Sequence, residues 1–321
     1  MRLSGVLILT GVTTVGILFV RRILRIRSAL SQLQQLAHRV GLDVLPAGYF
    51  RVCISGTSSG IGEACANFLR KYRSVKVYSV GRQSSSDFVA DLTDASSIRS
   101  CSMDIEREWY KSTEAPSAGL DVFINNAGVF SAPMSSCILW TNSFASAFLT
   151  EDLTERYIRN NIKSRMLRFV QVSSRLESKS MMTAENLRVH LSSSLDQESA
   201  TLTYADSKRA MLYHTAFMHH KFASSHPSLS YVAVTPGMVN TALGRSSVGT
   251  LLWYLTYPVR FLLLRSPIEG ALPIIWAAFG IPTESGVFIA DQEIIECISN
   301  TRDPEAGRIF SDLVKERFNE I

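Results

Sequence analysis

Phe50-Arg-Val-Cys-Ile-Ser-Gly-Thr-Ser-Ser-Gly-Ile-Gly62 begins as a short strand and ends on three glycines spaced G-x-x-x-G-x-G. Glu63 to Tyr72 then takes helical spacing through Ala64, Ala66, Phe68 and Leu69. A glycine-rich turn between strand and helix lets the backbone approach a pyrophosphate. The free N–H groups and dipole of the helix N-terminus favour its negative charge. Glycine clusters alone are weak evidence, but the strand before and the helix after supply the context this motif requires.

On either side of this stretch, apolar runs recur between helical segments. Val75–Val80, Phe88–Ala90, Leu120–Ile124, Arg168–Val172, Leu229–Val234 and Gly286–Ala290 bring the expected strands to about seven. Strands alternating with helices predict an α/β, Rossmann-type doubly wound parallel sheet with helices on both faces. Right-handed crossovers then place the strand C-termini, and the site, along one edge.

The N-terminal arm reads separately. Of 33 basic and 28 acidic residues, residues 1–48 hold six arginines against the single acid Asp43, so the net charge of +5 lies in that arm and the rest balances. A neutral body lacks the basic face that nucleic acid requires. Leu3–Val20 carries no charge and predicts an N-terminal membrane-anchor helix over residues 1–20. Arg21, Arg22, Arg25 and Arg27 favour a retained, single-pass anchor with the body cytosolic over a cleaved signal peptide, while a buried or interfacial helix is the alternative. Residues 21–48 read as a basic connector, a tether near the headgroups, and 49–321 as the main domain with a C-terminal tail. Five scattered cysteines and six histidines without ligand spacing predict neither disulfides nor a metal.

Five motifs in order, Gly56-x-x-x-Gly60-x-Gly62, Asn125-Asn-Ala-Gly128, Ser173-Ser174, Tyr204-x-x-x-Lys208 and Pro236-Gly237, resemble the short-chain dehydrogenase/reductase superfamily over about residues 49–300. Thr235 to Arg245, Ser266-Pro267 and Gly286 to Asp291 are similar to its retinol-dehydrogenase-like, membrane-associated branch. The resemblance implies a dinucleotide held by Gly56, Ser58, Ser59, Gly60, Ile61, Gly62, Arg82, Asp91, Leu92, Asn125, Ala127, Gly128, Tyr204, Lys208, Pro236, Gly237 and Thr241. Arg82 ends the second strand with no acid before Asp87, which favours NADP over NAD, because an arginine pairs with a 2′-phosphate and an acid with the ribose hydroxyls.

On a helix Tyr204 and Lys208 share one face, and an ammonium there would lower the phenol's pKa. The resemblance makes Tyr204 the proton-transfer group. It also makes Lys208 its partner on the nicotinamide ribose and Ser174, rather than Ser173, the group orienting the substrate oxygen. Arg175–Ser199 reads as a polar surface insertion. The helix asparagine best matches Asn142, with Asn160 and Asn161 as runners-up. Only 13 residues separate Asn142 from Gly128, fewer than the family pattern has, and glycine is replaced by alanine or serine in the stretch that follows.

The function expected is an NADP-dependent oxidoreductase interconverting a lipophilic alcohol and its aldehyde or ketone. The alternative is a catalytically impaired, membrane-bound dinucleotide-binding or scaffold protein. Expected partners are a small lipophilic substrate, the membrane through residues 1–20, and a second copy as a homodimer. The endoplasmic reticulum is the expected membrane and the mitochondrion the second choice. The apolar run Val248–Leu264 predicts a substrate lid roofed by Leu251, Leu252, Trp253, Leu255 and Phe261, with a core helix or an interfacial helix beside the anchor as the alternatives.

Overall fold

The computed structural model describes residues 2–110, 119–130, 135–161, 165–192, 199–222, 224–244, 250–280, 285–295 and 303–319, without the side chains of 2–13, 135, 192, 244, 250 and 251. One sheet holds β1 (Phe50–Ser55), β2 (Val75–Gly81), β3 (Phe88–Val89), β4 (Gly119–Asn125), β5 (Arg165–Val172), β6 (Leu229–Thr235), β7 (Val287–Ala290) and β8 (Glu293–Ile295) in the order 3-2-1-4-5-6-7-8. Pairing is parallel as far as β7. Among the described residues the sheet has eight strands rather than about seven, because Asp291 and Gln292, both at positive φ, turn the chain back so that β8 pairs antiparallel with β7. Such a short hairpin is invisible to a search for alternation with helices.

Helices cover both faces, and the pleat assigns each strand residue to one of them. Val52 and Ile54, Val122 and Ile124, Val170, Val232 and Val234 pack beneath α1 (Arg2–Arg39), α2 (Gly60–Leu69) and α10 (Pro267–Phe279). Their neighbours Cys53, Phe123, Phe169 and Tyr231 pack on the other side. There they meet α3 (Ala95–Tyr110), α5 (Ala145–Arg159), α7 (Ala200–Phe222) and α11 (Pro304–Asn319). Phe169 and Tyr231 stack across β5 and β6 with centroids 5.4 Å apart. Away from the C-terminal edge, Asp121 on β4 is fully buried between Arg51 on β1 and Arg165 on β5, at 2.6 and 2.7 Å. Shared hydrogen bonds offset the cost of burying these three charges.

The residues read as a tether belong to this core. α1 continues as one helix through Arg39 and packs on α10, and Ala29, Leu33, Leu36 and Ala37 are buried in the cluster on the Val52 and Ile54 side of the sheet, as is Leu42 just beyond the helix. Buried Arg22 pairs with Glu269 at the start of α10. The segment read as a C-terminal tail is also core. In α11, Phe318 stacks on Phe148 at 3.8 Å and Phe310 meets Phe144 at 5.3 Å. Within the expected surface insertion, α6 (Leu187–Ser192) buries Leu187 and Leu191, and Met182 is buried before it. Among the described residues, no helix is long and apolar enough to cross a membrane. The first 13 residues of the expected anchor lie outside the described side chains.

Candidate active site

The cleft opens at the C-terminal edge of the sheet, where the strand order reverses between β1 and β4, the usual ligand position in such sheets. Its volume is about 690 Å³, and Gly56, Arg82, Asp91, Ser174, Tyr204 and Pro236 mark its extent.

The glycine turn fits a dinucleotide. Gly56 and Gly60 have φ of +73° and +67°, a region that disfavours side chains, and a Cβ on Gly56 would lie 2.9 Å from the backbone of Ala127. Gly62 does not line the cleft. A Cβ there would lie 2.2 Å from the Gly56 carbonyl, so its smallness lets α2 pack against the turn. Ser59 precedes α2 without capping it through its side chain, leaving the first N–H groups facing the cleft for phosphate. Arg82 is exposed at the β2 end. The nearest acid, Asp87, accepts hydrogen bonds from the backbone and hydroxyl of Ser79 at 2.8 and 2.7 Å. Asp91 and Leu92 line the cleft beyond β3.

Asn125 corrects the sequence reading. It is buried and donates to Thr150 Oγ1 at 3.1 Å, tying β4 to α5 instead of facing a ligand. The cleft residue is Asn126, whose Nδ2 donates to the carbonyls of Ser55 and Gly56 at 3.0 and 3.1 Å and fixes the glycine turn. Two adjacent asparagines at a strand end face opposite ways, and the choice between them depends on the strand's last registered residue.

α7 brings Tyr204 and Lys208 onto the cleft side, with Nζ 5.4 Å from the phenol ring centroid. Burial pushes Tyr204 up to about 12, opposed by a hydrogen bond with the Ser174 hydroxyl. Burial also pushes Lys208 down to about 8. The expected lowering of the phenol's pKa by the ammonium is therefore absent. Lys208 Nζ instead donates to the Val172 carbonyl at 2.9 Å, and desolvation is the leading cause of both shifts. The serines separate by role. Ser173 Oγ donates to the Lys208 carbonyl at 3.3 Å, whereas Ser174 reaches the phenol.

Asn142 takes the helix position despite the short spacing. α4 (Ser135–Leu139) passes into α5 through one π-type turn, Trp140–Phe144, which adds a residue to the helical circuit and turns Asn142 inward. Its amide makes two bonds with the Val129 backbone, at 2.7 and 2.8 Å, and one with Ser207 Oγ at 3.3 Å. Asn142 supports the cleft wall without lining it, and its Oδ1 and Lys208 Nζ both approach Gly128. The runner-up Asn160 bonds Glu106, and Asn161 lies beyond the end of α5, so neither faces the site.

The cleft has a further wall that the sequence motifs do not name. Phe130, Cys137, Thr141 and Leu243 line it, and Phe130 lies 4.9 Å from the Tyr204 ring. No periodic signal marks them, since they come from loops and short helical segments. Among the described residues, Leu252, Trp253, Leu255 and Phe261 of the expected lid do not line the cleft. α8 (Thr250–Leu255) and α9 (Tyr257–Leu263) leave Leu252 and Leu255 exposed, Trp253 lies under Arg260 at 3.3 Å, and Phe261 packs on Phe19 at 6.1 Å. The Leu251 side chain is outside those described.

The sequence pattern of the short chain dehydrogenase family matches residues 51–250. The chain belongs to that family. As a short-chain dehydrogenase it is an NAD(P)-dependent oxidoreductase. A Phomopsis amygdali short-chain dehydrogenase/reductase is 26% identical over 257 residues, 70% of this chain and 71% of that one. Among solved structures, 3-alpha-hydroxysteroid dehydrogenase from Pseudomonas sp. B-0831, complexed with NADH, superposes with a TM-score of 0.58 at 20% identity. The match covers 75% of this chain and 94% of that one. Thermoplasma acidophilum aldohexose dehydrogenase gives 0.53 at 19% identity, covering 78% and 93%. These structural likenesses bear on the fold of this short-chain dehydrogenase.

Proposed function

We propose that this short-chain dehydrogenase uses NADP(H) to interconvert a lipophilic alcohol with its aldehyde or ketone, in the manner of the retinol-dehydrogenase-like branch. The observation that carries the reaction is that Ser174, Tyr204 and Lys208 line one cleft together, with Lys208 one helical turn on from Tyr204 and its Nζ 5.4 Å from the phenol ring centroid. When bound, the nicotinamide supplies or accepts the hydride. Tyr204 exchanges a proton with the substrate oxygen, and Ser174 donates a hydrogen bond that orients that oxygen. Lys208 can leave the Val172 carbonyl for the ribose hydroxyls, while Asn142 holds the wall behind it.

Arg82 supports the NADP preference, because Asp87 is already engaged by Ser79 and no other acid stands between the end of β2 and β3. The apolar lining from Phe130 and Leu243 supports a lipophilic substrate. Two of the stretches that resemble the retinol-dehydrogenase-like branch meet at Arg265, beside the third. Its guanidinium donates to the Pro236 carbonyl at 3.2 Å and pairs with Asp291. Residues 1–20 are proposed to hold the enzyme on a membrane, the endoplasmic reticulum first, with the body cytosolic.

The test is purified, detergent-solubilised protein supplied with NADPH or NADH and a panel of retinaldehyde, a steroid ketone, a long-chain aldehyde and a short polar aldehyde. The reading expects turnover with NADPH and a lipophilic carbonyl. Binding of either dinucleotide without reduction of any member would overturn it in favour of a non-catalytic protein.

A further inference from the structure

The described part of α1 leaves apolar residues uncovered as it approaches its N-terminal end: Ile17, Val20 and Leu24 are 50%, 55% and 56% exposed. Beside it, α8 and α9 expose Leu252, Leu255 and Leu263 at 52%, 68% and 62%. The two sets adjoin. Phe19 meets Phe261 at 6.1 Å, Arg22 lies over the same ring at 5.5 Å, and Arg25 donates to the Leu262 carbonyl at 3.1 Å. Isolated exposed leucines need no explanation, but a contiguous apolar face carried by two separate elements marks an interaction surface.

Charge identifies the occupant. Neither residues 14–39 nor residues 250–264 contain an acid, and exposed Arg21, Arg25 and Arg27 flank the apolar face. Tyr254 and Tyr257, 60% and 53% exposed, add aromatic rings with polar tips. Apolar side chains bordered by arginines and tyrosines match the boundary between acyl chains and anionic headgroups. α9 is tied to the cleft rim, since Arg260 donates to Asn240 Oδ1 at 2.5 Å and the next residues, Thr241 to Leu243, line the cleft.

We infer that α8 and α9 form a second membrane-contact element, which seats the enzyme on an anionic bilayer surface beside the root of α1 and turns the cleft mouth toward the lipid. A lipophilic substrate then passes from the bilayer into the cleft without crossing water. This inference rests on the proposed membrane association and is independent of the hydride-transfer reading.

The experiment uses the full chain with Leu255→Trp, and Met103→Trp on α3 as control, since both positions are exposed and tolerate replacement. Each is mixed with phosphatidylcholine–phosphatidylserine vesicles carrying ordinary or brominated acyl chains. The added emission at 255 is expected to fall at least twofold with brominated chains, and that at 103 to stay unchanged. Co-sedimentation with vesicles but no quenching at 255 overturns the second contact and leaves the anchor standing. Failure to sediment overturns the membrane association and this inference with it. Emission at 255 already shielded in a lipid-free dimer assigns the face to a second copy and also overturns it.

Discussion

Asn142 and Val129 are joined by two hydrogen bonds, the Val129 N–H donating to Oδ1 at 2.7 Å and Nδ2 donating to the Val129 carbonyl at 2.8 Å. The π-type turn makes this closure possible and holds the segment after Gly128 against α7. Asn142→Ala would remove the partners of both backbone groups of Val129 in a half-buried wall. The expected cost is about 2 kcal/mol, read as a lower urea midpoint with unchanged slope. A change below about 0.5 kcal/mol would mean the wall is held elsewhere.

Arg82 is the group available at the end of β2 for a 2′-phosphate. Arg82→Ala is expected to raise the NADPH dissociation constant at least tenfold and the NADH constant less than twofold, as read by titration calorimetry. Equal shifts for both would remove Arg82 from cofactor choice.

The buried amine gives the ligand-free protein a pH signature. Lys208 holds its proton up to its ordinary 10.5 when unfolded but only to about 8 when folded, so the unfolded chain binds more protons between those values. The penalty is complete below about pH 8 and is relieved as pH rises toward 10.5. Relative to Lys208→Met, the wild type should gain about 2 kcal/mol between pH 7.5 and 9.5 in urea unfolding. Tyr204 works the other way at higher pH. Its raised pKa costs stability between 10 and about 12, where only the unfolded phenol ionises. A flat difference from pH 7.5 to 9.5 would place Lys208 in a wetter setting.

The fold was legible because glycine spacing, strand alternation and a charge-poor core are local signals. The glycine turn, Tyr204, Lys208 and Ser174 all reach the cleft as read from the sequence. What escaped depends on tertiary context. Asn125 and Asn126 differ only in which side of β4 they leave, and the phenol's pKa depends on where Lys208 Nζ finds an acceptor. The arginine-rich segment after residue 20 reads as a tether near the headgroups because nothing in its pattern reveals Glu269, far along the chain, as the partner of Arg22.

That pair provides another test. Arg22 and Glu269 have side chains 2% and 9% exposed, and Glu269 also caps α10 by accepting from the backbone and hydroxyl of Ser266 at 2.7 and 2.8 Å. Arg22→Ala leaves that carboxylate its Ser266 donors but, as charge partner, the half-exposed Arg25 at 3.7 Å, and should cost about 3 kcal/mol by chemical unfolding. Limited proteolysis should then cut first near the junction of α1 with the body. Wild-type stability would show that α1 docks through its apolar side chains alone.

In the proposed reaction the Tyr204 hydroxyl moves the proton in a site otherwise built to hold a dinucleotide. Tyr204→Phe removes that single oxygen, so NADPH turnover with the best lipophilic carbonyl of the panel should fall at least a hundredfold while the NADPH dissociation constant stays within twofold. Retention of a tenth or more of wild-type turnover, with the same cofactor affinity, would contradict the account.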